Sequence, residues 1–163
     1  MRDGGGPRRV AILVKRELFR VPILSGAMRV SHFIPVDRGS REAAASAEGA
    51  VRSLKAGDSF LMFPEGTRSS DGRLRPLKKG VVTIAVEAAV PIVPVSIAGT
   101  QNVLKKGNWI LHRGEVIVRF GAPVDSSTYT MSRRSELLAR IESAVSATLP
   151  PNQQPLPRQL AID

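Results

Sequence analysis

The chain has 163 residues, 42% hydrophobic and 23% charged, which suits one folded domain and excludes a disordered or collagen-like polymer. With 24 Lys+Arg against 14 Asp+Glu the formal net charge is +10, so an anionic partner is expected: a phosphorylated substrate, an acidic carrier, an anionic membrane surface or a nucleic acid. The absence of cysteine excludes a disulfide scaffold, a Cys-ligated metal site and a Cys nucleophile.

Residues 1–9, rich in Gly and Arg, read as a flexible leader. Val10 to Val14 is a short continuous apolar run after a Gly/Pro cluster, which predicts a buried strand ended by Lys15. Leu18 to Val30 reads as a turn and short helix interrupted near Pro22, Phe33 to Val36 as a second strand, and Asp37 to Ser40 as a loop. A helix is predicted from Ser40 to Lys55: Ser40 can cap it, Gly57 follows its last turn, and Ala43, Ala44, Ala47, Ala50, Val51 and Leu54 share a stripe. Asp58 to Phe63 predicts a strand that enters a loop at Pro64. Gly80 to Ala89 is apolar nearly all round and predicts a buried helix. Ile92 to Ile97 and Glu115 to Phe120 predict strands. Ser132 to Leu149 predicts a helix whose Leu137, Leu138, Ile141, Val145 and Leu149 share one face. From 150 to 163 the tail is rich in Pro, Gln and Asn and reads as disordered.

Alternating strands and helices argue for an α/β fold with a mixed, largely parallel sheet flanked by helices, in which ligands sit at the carboxyl ends of the strands. The longest largely apolar stretch, Ala88 to Ala98, is broken by Pro91, Pro94 and Ser96. It falls short of the about 20 residues a spanning helix needs, so no transmembrane segment is expected.

Phe63-Pro64-Glu65-Gly66-Thr67-Arg68-Ser69 stands where a predicted strand ends. Gly66 permits a tight bend and close approach of a ligand to the backbone. Arg68 offers a planar fork suited to phosphate, Thr67 a hydroxyl donor, and Glu65 a carboxylate that either orients Arg68 or accepts a substrate hydroxyl. The competing reading is a surface turn with a solvated Glu/Arg pair. Lys15, Arg38 and Arg68 each follow a predicted strand, and in a parallel sheet those ends share one edge. Downstream, Arg73, Arg75, Lys78 and Lys79 form either an electrostatic landing strip for an acidic carrier or lipid headgroups, or a solvated basic loop.

The Phe63 to Ser69 block resembles the signature of the glycerolipid acyltransferases, the family of 1-acylglycerol-3-phosphate O-acyltransferases. Three further blocks match in the family's order: Lys15 to Leu18 with Ile34 to Arg38, Val90 to Thr100, and Arg119 to Pro123. The resemblance covers residues 10 to 125. It implies a glycerol-3-phosphate acyltransferase-like fold over 10–149. The implied activity is transfer of a fatty acyl group from acyl-CoA or acyl carrier protein to lysophosphatidic acid, giving phosphatidic acid without a cofactor. It also implies peripheral association with an anionic membrane surface at its cytoplasmic face. Carried over by position, Lys15, Arg38 and Arg68 hold the substrate phosphate, while Glu65, Gly66 and Thr67 shape the glycerol site. Pro91 and Pro94 are structural or line the acyl region.

The family's general base is the His of an Asn-His-x4-Asp that lies before the Lys15 block, and no His stands among Met1 to Val14. The expectation is therefore a domain that lacks its N-terminal catalytic segment, with no catalytic residue assigned. His32 and Asp37 repeat the spacing, but five residues along a strand point side chains to opposite faces, about 16 Å apart. His112 precedes Arg113-Gly114, a turn signal, and reads as a surface residue.

Two other functions compete. A non-catalytic module binding anionic lipid or phosphate accords with the missing base. Nucleic-acid binding rests on charge alone; aromatics are 4% and stand mostly in apolar runs, so no nucleic-acid partner is expected. No metal-ligand cluster and no phosphate-cradling Gly-Lys-Ser/Thr loop is visible.

Overall fold

The computed structural model describes residues 10–15, 33–36, 40–105, 107–108 and 110–156; for 10–15, 33–36 and 40–44 the backbone alone is described. The expected segment from Leu18 to Val30, the loop residues 37–39 with Arg38, and His32 and Asp37 lie outside the described residues.

Three strands form a parallel sheet in the order β2-β1-β3: β1 (Val10–Lys15), β2 (Phe33–Val36) and β3 (Ser59–Leu61). The register pairs Ile12 with Phe33 and Lys15 with Val36 on one side, and Ile12 with Leu61 on the other. Lys15 is thus the last residue of β1, one place inside the strand instead of just beyond it. β3 is shorter than the predicted Asp58 to Phe63, because the turn set by Pro64 begins at Phe63.

Helix α1 (Ser40–Lys55) spans the predicted range and joins β2 to β3. Arg52 and Lys55 stand in its last turn, where the helix dipole favours cations. The amides of Ala56 and Gly57 close back on Arg52 and Leu54, and the Ser53 hydroxyl meets the Asp58 carboxylate. Helix α2 (Gly80–Ala88) packs beside α1 and buries Val82, Ile84, Ala85 and Ala88. It ends one residue early, at Ala89, whose φ of +54° is left-handed; Pro91 two residues on cannot continue the helix.

β4 (Val95–Ala98) and β5 (Ile117–Phe120) pair antiparallel as a separate two-stranded sheet, Val95 opposite Phe120. Both are shorter than expected. Ile92 instead forms an isolated bridge with Val124 through N–O contacts of 2.9 and 2.8 Å. Between them the short helix α3 (Thr100–Val103) follows Gly99. The predicted C-terminal helix divides into a 3₁₀ turn, Met131–Arg133, and α4 (Arg134–Ala147). α4 stops at Thr148, whose hydroxyl lies 2.8 Å from Ser96 Oγ and 2.9 Å from the Val145 carbonyl.

The core joins α2, α4 and the connection after β5. Leu77, Val82, Val124, Leu137 and Ile141 are buried together, with Leu74, Val86, Ile92, Leu138 and Val145 packed against them. The expected apolar face of α4 is this contact, and Leu149 is buried beyond it. Ser126, fully buried, lies 2.9 Å from the Ala85 carbonyl and 2.6 Å from that of Val90, fastening the end of α2.

Within the segment expected to be disordered, the described residues 150–156 depart from expectation. Pro151–Gln153 form a 3₁₀ turn, begun by a proline whose fixed φ suits a first helical position. Gln153 is buried, and its carbonyl accepts the Leu74 amide at 2.9 Å. Prolines that signal disorder by composition here shape a turn that has hydrogen-bond partners.

Candidate functional site

Because β1, β2 and β3 run parallel, their carboxyl ends share one edge of the sheet. Lys15 and Val36 are register partners at that edge. The Phe63–Ser69 motif leaves β3 there, beginning two residues after Leu61. The side chain of Lys15 and all of Arg38 lie outside the described residues, so the structure brings the motif and the backbone of Lys15 to one edge.

The motif is a tight turn. The Gly66 amide donates to the Phe63 carbonyl at 3.0 Å, with Pro64 at the second position, where its fixed φ is favourable. Gly66 has φ +69°, a conformation glycine adopts without a Cβ clash. The Lys78 amide donates to the Pro64 carbonyl at 3.0 Å, so the chain returns to the turn before α2 begins. Thr67 and Arg68 are exposed, and Glu65 is half-buried.

The Glu65 carboxylate is held from an unexpected direction. Its Oε2 accepts the backbone N–H of Arg75 at 2.8 Å. Of the two roles expected for Glu65, orienting Arg68 or accepting a substrate hydroxyl, neither a hydrogen bond nor an ion pair to Arg68 is among its contacts, and a backbone amide takes the carboxylate. Burial pushes the Glu65 carboxyl above its usual range, opposed by the Arg75 N–H and the Arg75 charge.

The basic run that follows is partly structural. Asp71 Oδ1 accepts the Ser69 hydroxyl at 2.6 Å and the Arg73 amide at 3.1 Å, and both bonds hold its carboxyl below the usual range. Arg73 Nη1 donates to the Gln154 carbonyl at 3.1 Å, and Arg75 Nη2 to Ser70 Oγ at 3.0 Å. Arg68, Arg75, Lys78 and Lys79 are exposed.

Of the later blocks, Pro94 is buried and its carbonyl accepts the Gly121 amide at 2.8 Å, whereas Pro91 is exposed. His112 is exposed on the connection between α3 and β5, as expected. Among the described residues no group of three His, Asp or Glu could hold a metal, and no helix is long and apolar enough to cross a membrane. Sequence reasoning missed the Arg75 amide and the Gln153 carbonyl, because both are backbone groups in segments without periodicity.

A family model described as Acyltransferase matches residues 1–98. The 1-acyl-sn-glycerol-3-phosphate acyltransferase of Limnanthes alba is 34% identical over 146 residues, covering 88% of this chain and 52% of the relative. The protein of the same name from Escherichia coli is 35% identical over 131 residues, covering 79% and 53%. The crystal structure of the 1-acyl-sn-glycerophosphate (LPA) acyltransferase PlsC from Thermotoga maritima superposes with a TM-score of 0.70 at 32% identity, over 84% of this chain and 54% of that one. The chain spans about half the length of each of these proteins.

Proposed function

The chain belongs to the acyltransferase family, and from that premise we propose that it serves transfer of a fatty acyl group from acyl-CoA or acyl carrier protein to the free hydroxyl of lysophosphatidic acid. The hydroxyl oxygen attacks the thioester carbonyl carbon, the C–S bond breaks, and the thiol leaves with a proton as phosphatidic acid forms. In this reading the exposed Arg68 guanidinium, with Lys15 and Arg38 from the same edge, holds the substrate phosphate. The Gly66 turn lets the glycerol approach the backbone, and Thr67 and Glu65 meet its polar groups. All six act in substrate binding. The chain works at an anionic membrane surface, peripherally and on the cytoplasmic side, where a basic protein is attracted to its lipid substrate.

The observation that carries the reading is the placement of the Pro64–Gly66 turn at the carboxyl edge of a parallel sheet, with Arg68 exposed beside it. The test compares binding of the chain to lysophosphatidate vesicles and to oligonucleotides, before and after Arg68→Ala. Loss of the vesicle binding with little change in the oligonucleotide arm supports the reading. Vesicle binding unchanged by the substitution overturns it.

A further inference from the structure

The segment after α4 folds back on the loop that carries the motif. Three successive amides in that loop have different partners. Arg73 N–H goes to Asp71 Oδ1 at 3.1 Å, Leu74 N–H to the Gln153 carbonyl at 2.9 Å, and Arg75 N–H to Glu65 Oε2 at 2.8 Å. The outer two serve the loop; the middle one ties it to the tail. A second tie runs beside it, from Arg73 Nη1 to the Gln154 carbonyl at 3.1 Å.

The tail is itself anchored. The Gln153 amide donates to the Pro150 carbonyl at 2.9 Å, Gln154 Nε2 to the Leu149 carbonyl at 3.3 Å, and Gln153 is 4% exposed. Leu149 is buried just past α4, and the Leu74 side chain packs on the core. A continuous path therefore leads from α4 through Gln153 to Leu74, and one peptide plane further to the amide that holds Glu65.

Resting on the reading above, that this loop receives lysophosphatidate, we infer that residues 150–154 are a strap that positions the binding loop, with Gln153 and Gln154 acting through their carbonyls as positioning residues for Glu65. Leu74 is held both at its N–H and by its side chain packed on the core, which limits its two soft dihedrals and so the direction in which the next N–H points. Freed from the strap, the Arg75 amide no longer has one direction and the Glu65 carboxylate loses its fixed partner. A staple serving stability alone could tie to any core element. This one ends, one residue along, at the amide that holds the half-buried carboxylate of the motif.

The test uses two disrupting variants of the chain and one conservative control. Gln153→Pro removes the amide that closes the 3₁₀ turn without changing charge, and Arg73→Met cuts the second tie, with Arg73→Lys as its conservative partner. Hydrogen exchange is followed at the Arg75 amide and at Ile84 and Ile141 in the core helices, alongside binding of lysophosphatidate micelles. We expect Arg75 to exchange about five- to tenfold faster, with Ile84 and Ile141 unchanged, as a lost hydrogen bond implies. Micelle affinity falls by a similar factor in Gln153→Pro, and Arg73→Lys recovers part of the loss in Arg73→Met. Arg75 exchange equal to the parent's in both variants overturns the strap. So does acceleration of Ile84 and Ile141 to the same degree as Arg75. If the parent binds no lysophosphatidate yet Arg75 alone responds, the strap stands and the ligand assigned to the loop falls.

Discussion

Arg75 stands ten residues beyond Glu65, and its backbone N–H reaches Glu65 Oε2 at 2.8 Å. The carboxylate at the centre of the motif is thus held by main chain, and the Arg68 side chain beside it is exposed. The pairing also sets two opposing influences on one group: burial raises its proton affinity, while the amide and the Arg75 charge lower it, and burial is the larger.

That balance has a pH signature. An acid whose folded pKa lies above its unfolded value binds its proton more tightly when folded, so its contribution to stability falls as pH rises through the interval between the two. For Glu65 this interval begins at the ordinary glutamate value and extends upward. Urea denaturation of the parent and of Glu65→Gln, which keeps the carbonyl acceptor for Arg75, should show the variant gaining on the parent as pH rises through that interval. Asp71, Asp125 and Glu136 have lowered pKa values but are common to both proteins and cancel in the difference. A difference that stays constant with pH would show that burial does not control Glu65.

Arg68→Ala separates binding from folding. An exposed side chain away from packing changes stability by about 0.5 kcal/mol or less. A charged hydrogen bond to phosphate contributes about 1.5–3 kcal/mol, so affinity for lysophosphatidate should fall by about ten- to a hundredfold. Titration with lysophosphatidate and with a phosphate-free monoacylglycerol checks it: the substitution should weaken the first and leave the second as it was. Equal weakening of both ligands would remove Arg68 from the phosphate site.

Much of the scaffold was legible from residue spacing. The stripe from Leu137 to Leu149 predicted the face of α4 that is buried, and the all-round apolar run from Gly80 predicted α2, since a period of 3.6 residues survives whatever the helix packs against. Pro64 and Gly66 announced the turn because each restricts or frees φ at its own position. The partner of Glu65 was not legible. A backbone amide is present at every residue except proline, so nothing in the letters marks Arg75 as the donor. The tail misled for a related reason: composition reports how much apolar surface a segment can bury, whereas Gln153 is held through its carbonyl and its burial. The two-stranded β4–β5 sheet was read as part of a larger one because strand pairing is long-range and leaves little local trace.

Ser126 is a test of polar satisfaction in the core. Its hydroxyl sits within hydrogen-bond distance of the Ala85 and Val90 carbonyls, on either side of the left-handed Ala89 that ends α2. Ser126→Ala removes the single proton these carbonyls share and should cost about 1–2 kcal/mol. Ser126→Val adds bulk at a fully buried position and should cost more. Thermal unfolding of the two variants checks the order. Alanine at no cost would mean that the amides already bonded to Ala85 O suffice.

Among the described glycines, Gly99 is the one at which an added side chain meets the closest backbone contact. It lies between β4 and α3 with φ +89°, where a side chain is strained whatever the space. Space is also lacking: an added Cβ would stand 2.2 Å from the Glu115 carbonyl oxygen, a backbone atom that cannot swing aside. Left-handed geometry costs a residue with a Cβ about 1–2 kcal/mol, and overpacking adds about 1–3 kcal/mol. Gly99→Ala should therefore lose about 3 kcal/mol, which for a chain of this size lowers Tm by about 10 °C. Gly80→Ala is the contrasting case. It opens α2 and nothing lies within 4 Å of its added Cβ, so alanine there restricts mainly the unfolded chain, a gain of about 0.4–1 kcal/mol. Calorimetry of the two variants should move Tm in opposite directions, and a Gly99→Ala protein as stable as the parent would mean that the segment before β5 yields to make room.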